Sequence, residues 1–374
     1  MKNIYHIGRG ALPAQEIKSL VENGFISADE STIKPSSVDL ILTNEIYEVP
    51  GVFQVEYGKT VANTAHSFGH SVITISDNVL QKGKTYLIPV ANKIDLPETV
   101  YGYANPKSTS GRLDLHVRLL VDKIPWYDSV PKGFSGNLWV LVTPKTFSIK
   151  LNGPTSLNQL RLFNDNTRLT AEQLEQVMQK DGLLFAPQNS ELFKSRIRYK
   201  DLKIRDDNRS LLLSLDLQSQ VIGYRAKLVT DFIEYNCVGE YDPSKFFEII
   251  EKPKGAFLSL DPSSFYILSS LEHVMVPPEL ACEMTSMDDR LGDFRTHYAG
   301  FIDPGWGYGK DGKEQGRQLT LEVRVFEEML VKHGQPIARI KFERLSAVPE
   351  TQYDEIVSNY TQQIGPKLAK QFKM

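Results

Sequence analysis

The residues whose types and spacing could do chemistry crowd into one stretch, from Thr285 to Glu322. Ser286 and Arg290 stand four positions apart, and a hydroxyl beside the rigid donor fork of a guanidinium suits phosphate oxygens. The turn signal Asp303-Pro304-Gly305 follows. Beyond it Gln318–Val325 alternates: Leu319, Leu321, Val323 and Val325 share one face, Thr320, Glu322 and Arg324 the other. Glu322 is thus a carboxylate in the middle of a strand, available as a general base. A phosphate clamp and a proton acceptor joined by a sharp turn describe a nucleotide site. Each residue also has a plainer reading. Glu322 could be solvated on a half-exposed strand, Arg290 could pair with Asp288 or Asp289, and Ser286 could serve the backbone.

Short extended segments must position these groups. Val38–Leu42, Ile46–Val49, Val72–Ile75, Thr85–Val90, Leu115–Val121 and Leu138–Val142 read as strands separated by Pro, Gly and Asn. Such texture predicts a β-sandwich or barrel rather than a parallel α/β sheet. Helices are predicted over Ala11–Gly24, with Pro13 in the first turn, and over Thr170–Lys180, with a hydroxyl N-cap. The charged stretch that follows, up to Ser210, reads as a connector.

After that stretch the pattern restarts. Ser37-Val38-Asp39-Leu40 echoes in Ser214-Leu215-Asp216-Leu217, and Ser108 to Arg112 keeps the four-residue spacing of Ser286 to Arg290. Leu96-Pro97-Glu98 echoes in Pro277-Pro278-Glu279, and Gly133-Phe134-Ser135-Gly136 in Gly305-Trp306-Gly307-Tyr308. Leu157–Phe163 echoes in Ile337–Phe342. One β module used twice is the economical account. It divides the chain into 1–165, a helical connector at 166–205, and 206–374.

Composition narrows the classes of function. A formal net charge of −3 over 374 residues gives no polyelectrolyte footprint, so nucleic acid is not expected as a partner. Two cysteines far apart, Cys237 and Cys282, argue against a disulfide framework or a structural zinc site. The opening residues lack the apolar core of a signal peptide, and no run reaches the roughly eighteen apolar residues of a membrane span. A soluble, cytoplasmic protein without membrane contact is expected.

Taken together, these motifs resemble the dCTP deaminase branch of the dUTPase-like superfamily. The resemblance rests on Ile33–Leu40, on Ser286, Arg290, Leu291 and Gly292, on Ala299–Gly305, on Thr320-Leu321-Glu322 and on Tyr360–Pro366. It implies a mainly β fold of two tandem distorted β-barrels (the β-clip) with short helices. The implied activity is hydrolytic deamination of dCTP to dUTP and ammonia. Magnesium would come bound to the triphosphate, and the sites would lie between barrels of a homo-oligomer. By position, Glu322 would be the base, and Ser286 and Arg290 would hold phosphate and orient the water. Ala299 would bind the water or the amino group through its backbone, and Asp303 and Gly305 would shape the turn beside the sugar. Gln363, with Tyr353 and Tyr360, would reach the triphosphate. In the first half Ser108 and Arg112, with Lys107, could lend phosphate contacts. Leu141 stands there where the catalytic Glu belongs, so that half is expected to be non-catalytic.

Zinc chemistry is not expected. None of the seven histidines is followed by x-Glu, and there is no Cys-x-x-Cys. Gly307–Lys313 imitates a Walker A loop, but Glu314 follows where Ser or Thr is needed. His297, before the Ala-Gly turn, reads as structural. Thr285 replaces an arginine of the family pattern, Asn359 a lysine, and Tyr308–Arg317 is an insertion. A dUTPase or a bifunctional enzyme using Asp303 remains a rival, as does a silent nucleotide-binding protein.

Overall fold

A computed structural model describes residues 8–69, 72–186, 195–202, 209–287, 289–291, 294–296, 300–356, 360 and 364–373. The protein is mainly β with a few short helices. Two compact units are present, each assembled from non-contiguous stretches. The first takes residues 1–166, 228–242 and 369–374, the second residues 167–227 and 243–368.

In the first unit, Ser37–Leu40, Asn158–Phe163, Tyr101–Pro106 and Ser129–Val130 run side by side, with Ile33–Lys34 at one edge. A second antiparallel sheet orders Ile73–Ile75, Ile46–Val49, Thr85–Pro89, Leu138–Pro144 and Leu115–Val121. Leu42, expected within a strand, makes an isolated bridge to Val90. The first helix spans Ala14–Glu22, with Pro13 as its N-cap rather than in its first turn. One face of the second sheet carries Val49, Leu87, Leu120 and Leu141, covered by Val55, Val61 and Ala65 in a separate apolar cluster. Each such side chain is worth about 1.5–3 kcal/mol when fully buried, which is why Val52–Ala65 folds down onto the sheet. The excursion 228–242 adds Phe232–Glu234, paired in parallel with Ser148–Lys150.

The second unit places Tyr266–Val274 between Val221–Ala226 and Arg317–Val325, with Phe247–Glu251 and Phe294–Thr296 outside them. Its other sheet orders Leu211–Ser214, Pro336–Arg344, Leu280–Thr285 and Phe301–Ile302. Leu268, Leu321, Val323, Ile340 and Phe342 fill the core between these elements. The helix expected in the connector spans Ala171–Lys180, capped by the Thr170–Gln173 box. Its buried Leu174 and Met178 belong to this core, so the helix is part of the second unit.

The echoes are kept unevenly. Gly133 and Gly305 both have left-handed backbones, and each donates its N–H to the Pro-bearing segment of its own unit, at Pro97 and Val276 respectively. By contrast, Asp39 lies within a strand whereas Asp216 follows one, where it accepts from Gln218 N (2.8 Å) and Ser219 Oγ (2.6 Å). Similar short motifs therefore do different work.

Candidate active site

Glu322 sits on the central strand Arg317–Val325 and is 3% exposed. The alternation puts Leu319, Leu321 and Val323 into the core, yet Gln318, Thr320 and Glu322 on the opposite face are buried too. The solvated reading of this carboxylate is therefore wrong. A carboxylate withdrawn from water needs polar partners to offset its lost hydration. Ile267 pairs opposite Glu322, and a register shift between Ser269 and His273 inserts Ser270 beside the strand. Ser270 Oγ accepts from Leu319 N (2.9 Å), and Ser270 O accepts from Gln318 Nε2 (2.8 Å). Bulges of this kind re-aim side chains beside functional sites. Thr320 Oγ1 accepts from Lys367 N at 3.2 Å, which lays the C-terminal segment across the same face. At the Gln318 end of the strand a cavity of about 680 Å³ opens, bounded by Asp216, Tyr224, His273, His333 and Ile364–Pro366.

The turn that precedes this strand is tightly held. Gly305 has φ +86°, and a Cβ there would meet Gln352 Cβ at 2.6 Å, so only glycine fits. Tyr353 N donates to Pro304 O (2.9 Å), and the Tyr353 ring lies 5.2 Å from that of Trp306. One carboxylate oxygen of Asp303 is shut off from solvent. The insertion after the turn closes on itself, with Gly316 N donating to Gly307 O (3.0 Å). The strand thus resumes at Arg317 as though the loop were absent. Arg317 pairs with Asp354 (2.7 Å), which also accepts from Gly309 N (2.8 Å). Asp354 therefore ties the loop, the start of the Glu322 strand and the segment bearing Tyr353 into one block.

On the phosphate side, Ser286 is exposed after the strand Leu280–Thr285, and Arg290 is exposed on a single 3₁₀ turn, Asp289–Leu291. The chain then returns as Phe294–Thr296 to pair with the Glu322 strand, Thr296 opposite Val323. Thr285 Oγ1 accepts from Arg339 Nε (3.0 Å) on the neighbouring strand, so a guanidinium stands beside the position where the family pattern has its arginine. Strand register set this contact, and no local pattern could have pointed to Arg339. Asp354 was missed for the same reason.

Asp303, Gly305 and Tyr353 are gathered at the turn, whereas Tyr360 is buried in the core, with Lys367 Nζ 6.0 Å from its ring. Ala299 and Gln363 lie outside the described residues, as do Gly292, His297 and Asn359. In the first unit Ser108 and Arg112 span one short helix, and Arg112 is buried. Leu141 there packs in the apolar cluster under Val55 and Val61, an environment with no place for a carboxylate.

Comparison with known proteins gives this arrangement a family. Residues 8–166 match the N-terminal domain profile of 2'-deoxycytidine 5'-triphosphate deaminases, and residues 172–372 match the C-terminal domain profile. The "dCTP deaminase, dUMP-forming" of Dictyoglomus turgidum is 28% identical over 187 residues, covering 46% of this chain and 92% of that protein. Its counterpart in Dictyoglomus thermophilum is 30% identical over 133 residues, covering 34% of this chain and 64% of that protein. The crystal structure of 2'-deoxycytidine 5'-triphosphate deaminase from Agrobacterium tumefaciens superposes with a TM-score of 0.79 at 30% identity, over 91% of this chain and all of that one. With both domain profiles matched in order along its length, the chain belongs to the 2'-deoxycytidine 5'-triphosphate deaminase family.

Proposed function

We propose that the protein is a hydrolase that deaminates dCTP, with the chemistry in the second unit. The observation that carries this reading is Glu322, a buried carboxylate on the strand that follows the Asp303-Pro304-Gly305 turn, in a chain matched by the family over both halves. Glu322 takes a proton from water, and the hydroxide adds to C4 of the cytosine. The proton passes to the 4-amino nitrogen, the C–N bond breaks and ammonia leaves. The second water proton ends on ring N3, giving the uracil base of dUTP. Ser286 and Arg290 bind phosphate, joined by the guanidinium of Arg339, which stands beside Thr285. The backbone at Ala299 orients the water, Asp303 and Gly305 border the sugar, and Tyr353, Tyr360 and Gln363 complete the triphosphate side. Magnesium arrives as part of the nucleotide.

On this reading each unit is a distorted barrel, the first silent because of Leu141. Barrels that build sites at their boundaries need neighbours, so the protein is a homo-oligomer, and it works in the cytoplasm. The test is to incubate purified protein with dCTP and magnesium and follow ammonia and dUTP. No ammonia from the wild type sinks the reading.

A second reading extends the first. The relatives at 28% and 30% identity carry the name dUMP-forming, and Asp303 stands at the turn where a second water could be activated. Pyrophosphate and dUMP would then accompany ammonia, and Asp303→Asn would abolish the pyrophosphate.

A further inference from the structure

Two adjacent serines on the strand Tyr266–Val274 are used very differently. Ser270 builds the bulge beside the Glu322 strand: its Oγ accepts from Leu319 N (2.9 Å) and donates to Glu272 O (2.8 Å). Ser269 is 1% exposed, and its Oγ has no hydrogen-bond partner among the described residues. A hydroxyl shut away from water without a partner is destabilising, and alanine would avoid that penalty. A serine kept here needs a reason outside the protein's own hydrogen bonds.

Strand pairing fixes where Ser269 lies. It pairs opposite Thr320, and Ile267, two residues earlier, pairs opposite Glu322. Paired residues share a face, so Ile267, Ser269, Thr320 and Glu322 form one buried patch on the side of the sheet away from Leu268, Leu321 and Val323. Thr320 Oγ1 is engaged by Lys367 N (3.2 Å), so Ser269 supplies the unengaged hydroxyl of the patch. Its backbone is held in place: Ser269 O accepts from Asp216 N (3.2 Å), and Leu268 before it is locked in the core. Glu322 is its diagonal neighbour across the pair, and such neighbours stand about 7–8 Å apart. That gap suits one water lying about 2.8 Å from each side-chain oxygen.

We infer that Ser269 positions the attacking water, as a second anchor beside Glu322. The water donates one hydrogen to the Glu322 carboxylate and the other to Ser269 Oγ, which turns an oxygen lone pair toward C4 of the cytosine. When Glu322 takes its proton, the hydrogen left on the hydroxide is the one Ser269 holds. The inference rests on the deaminase reading and adds to it a residue from the strand next to Glu322. The plainer account is a serine that merely fills space in the sheet.

Ser269→Ala separates the two when steady-state ammonia release from dCTP is read alongside thermal melts. Losing one hydrogen bond to the water should slow the reaction about tenfold. We expect kcat to fall by that factor, KM to stay within about twofold, and the melting temperature to equal or exceed that of wild type. Ser269→Cys, close in volume but a weak hydrogen-bonding group, should lose about as much. A kcat within about twofold of wild type in Ser269→Ala overturns the inference, as does activity lost together with the melting transition. If Ser269→Ala does not fold, Ser269→Cys decides in its place: a kcat about tenfold lower at unchanged KM supports the anchor, and a wild-type kcat overturns it. A wild type that releases no ammonia sinks the deaminase reading and the anchor with it, whereas an active wild type with an indifferent Ser269→Ala sinks the anchor alone.

Discussion

Replacing Glu322 by glutamine is the most informative single perturbation. At 3% exposure the site tolerates little change of shape, and glutamine keeps the side-chain volume while removing the ionisable oxygen. The core face of the strand, Leu319, Leu321 and Val323, is untouched, and so is the pairing of position 322 with Ile267. No ion must then be kept away from water, so the variant should melt within a few degrees of wild type or slightly above it. Loss of a general base typically costs about 10²–10⁴-fold, or about 2.7–5.4 kcal/mol of transition-state stabilisation. We therefore expect kcat for ammonia release to fall at least about a hundredfold. KM should move by less than about threefold, since phosphate groups supply most of the ground-state binding. The assay is steady-state ammonia release, run alongside thermal melts of both proteins. A variant that keeps more than a tenth of wild-type kcat refutes the assignment. So does one whose activity is lost together with its melting transition, for the carboxylate would then be structural.

Further substitutions probe the surroundings. Arg339→Gln removes a guanidinium beside Thr285; a charged hydrogen bond to phosphate contributes about 1.5–3 kcal/mol, so the KM for dCTP should rise at least about tenfold, and an unchanged KM would free Arg339 of this role. Asp354→Asn breaks an ion pair whose partners are 3% and 13% exposed and leaves Arg317 with Glu314 as its acidic partner; denaturant unfolding should show a loss of about 1.5–3 kcal/mol. Asp128, in the first unit, is a pH probe. Burial outweighs its Arg118 partner and raises its carboxyl from 3.8 to about 6, so the folded state holds this proton more tightly than the unfolded chain. Stability from this group is therefore present below about pH 4 and is lost as pH rises to about 6, a swing of about 3 kcal/mol. Asp128→Asn lacks that swing, and asparagine tolerates the local φ of +63°, so stability relative to wild type should improve from pH 4 to pH 7. A pH-independent difference would count against the raised value.

Much of the β organisation was legible because alternation and turn chemistry are local. Ile46–Val49 and Leu115–Val121 run between the expected residues, and the capped helix starts one residue after Thr170. Glu322 was legible as a candidate, but its burial was not. Alternation reports one buried face, while the cover over the other comes from residues more than forty positions away, such as Lys367 at Thr320. Arg339 and Asp354 were hidden for the same reason, since cross-strand register and loop closure are properties of the folded chain. The Ser-x-Asp-Leu echo misled in the other direction. Three matching letters suggested equivalent positions, and the strands ended at different points around them.

The three-part make-up of the first unit bears on how the protein is made. Residues 1–166 leave the ribosome first, but 228–242 and 369–374 come later, and the last of these only when synthesis reaches residue 374. The N-terminal half must therefore wait, with the edge at Ser148–Lys150 lacking its parallel neighbour and the Ser108–Arg112 helix lacking Tyr235, while the other half emerges. Cutting the gene near codon 166 would yield a fragment with an open strand edge, prone to self-association.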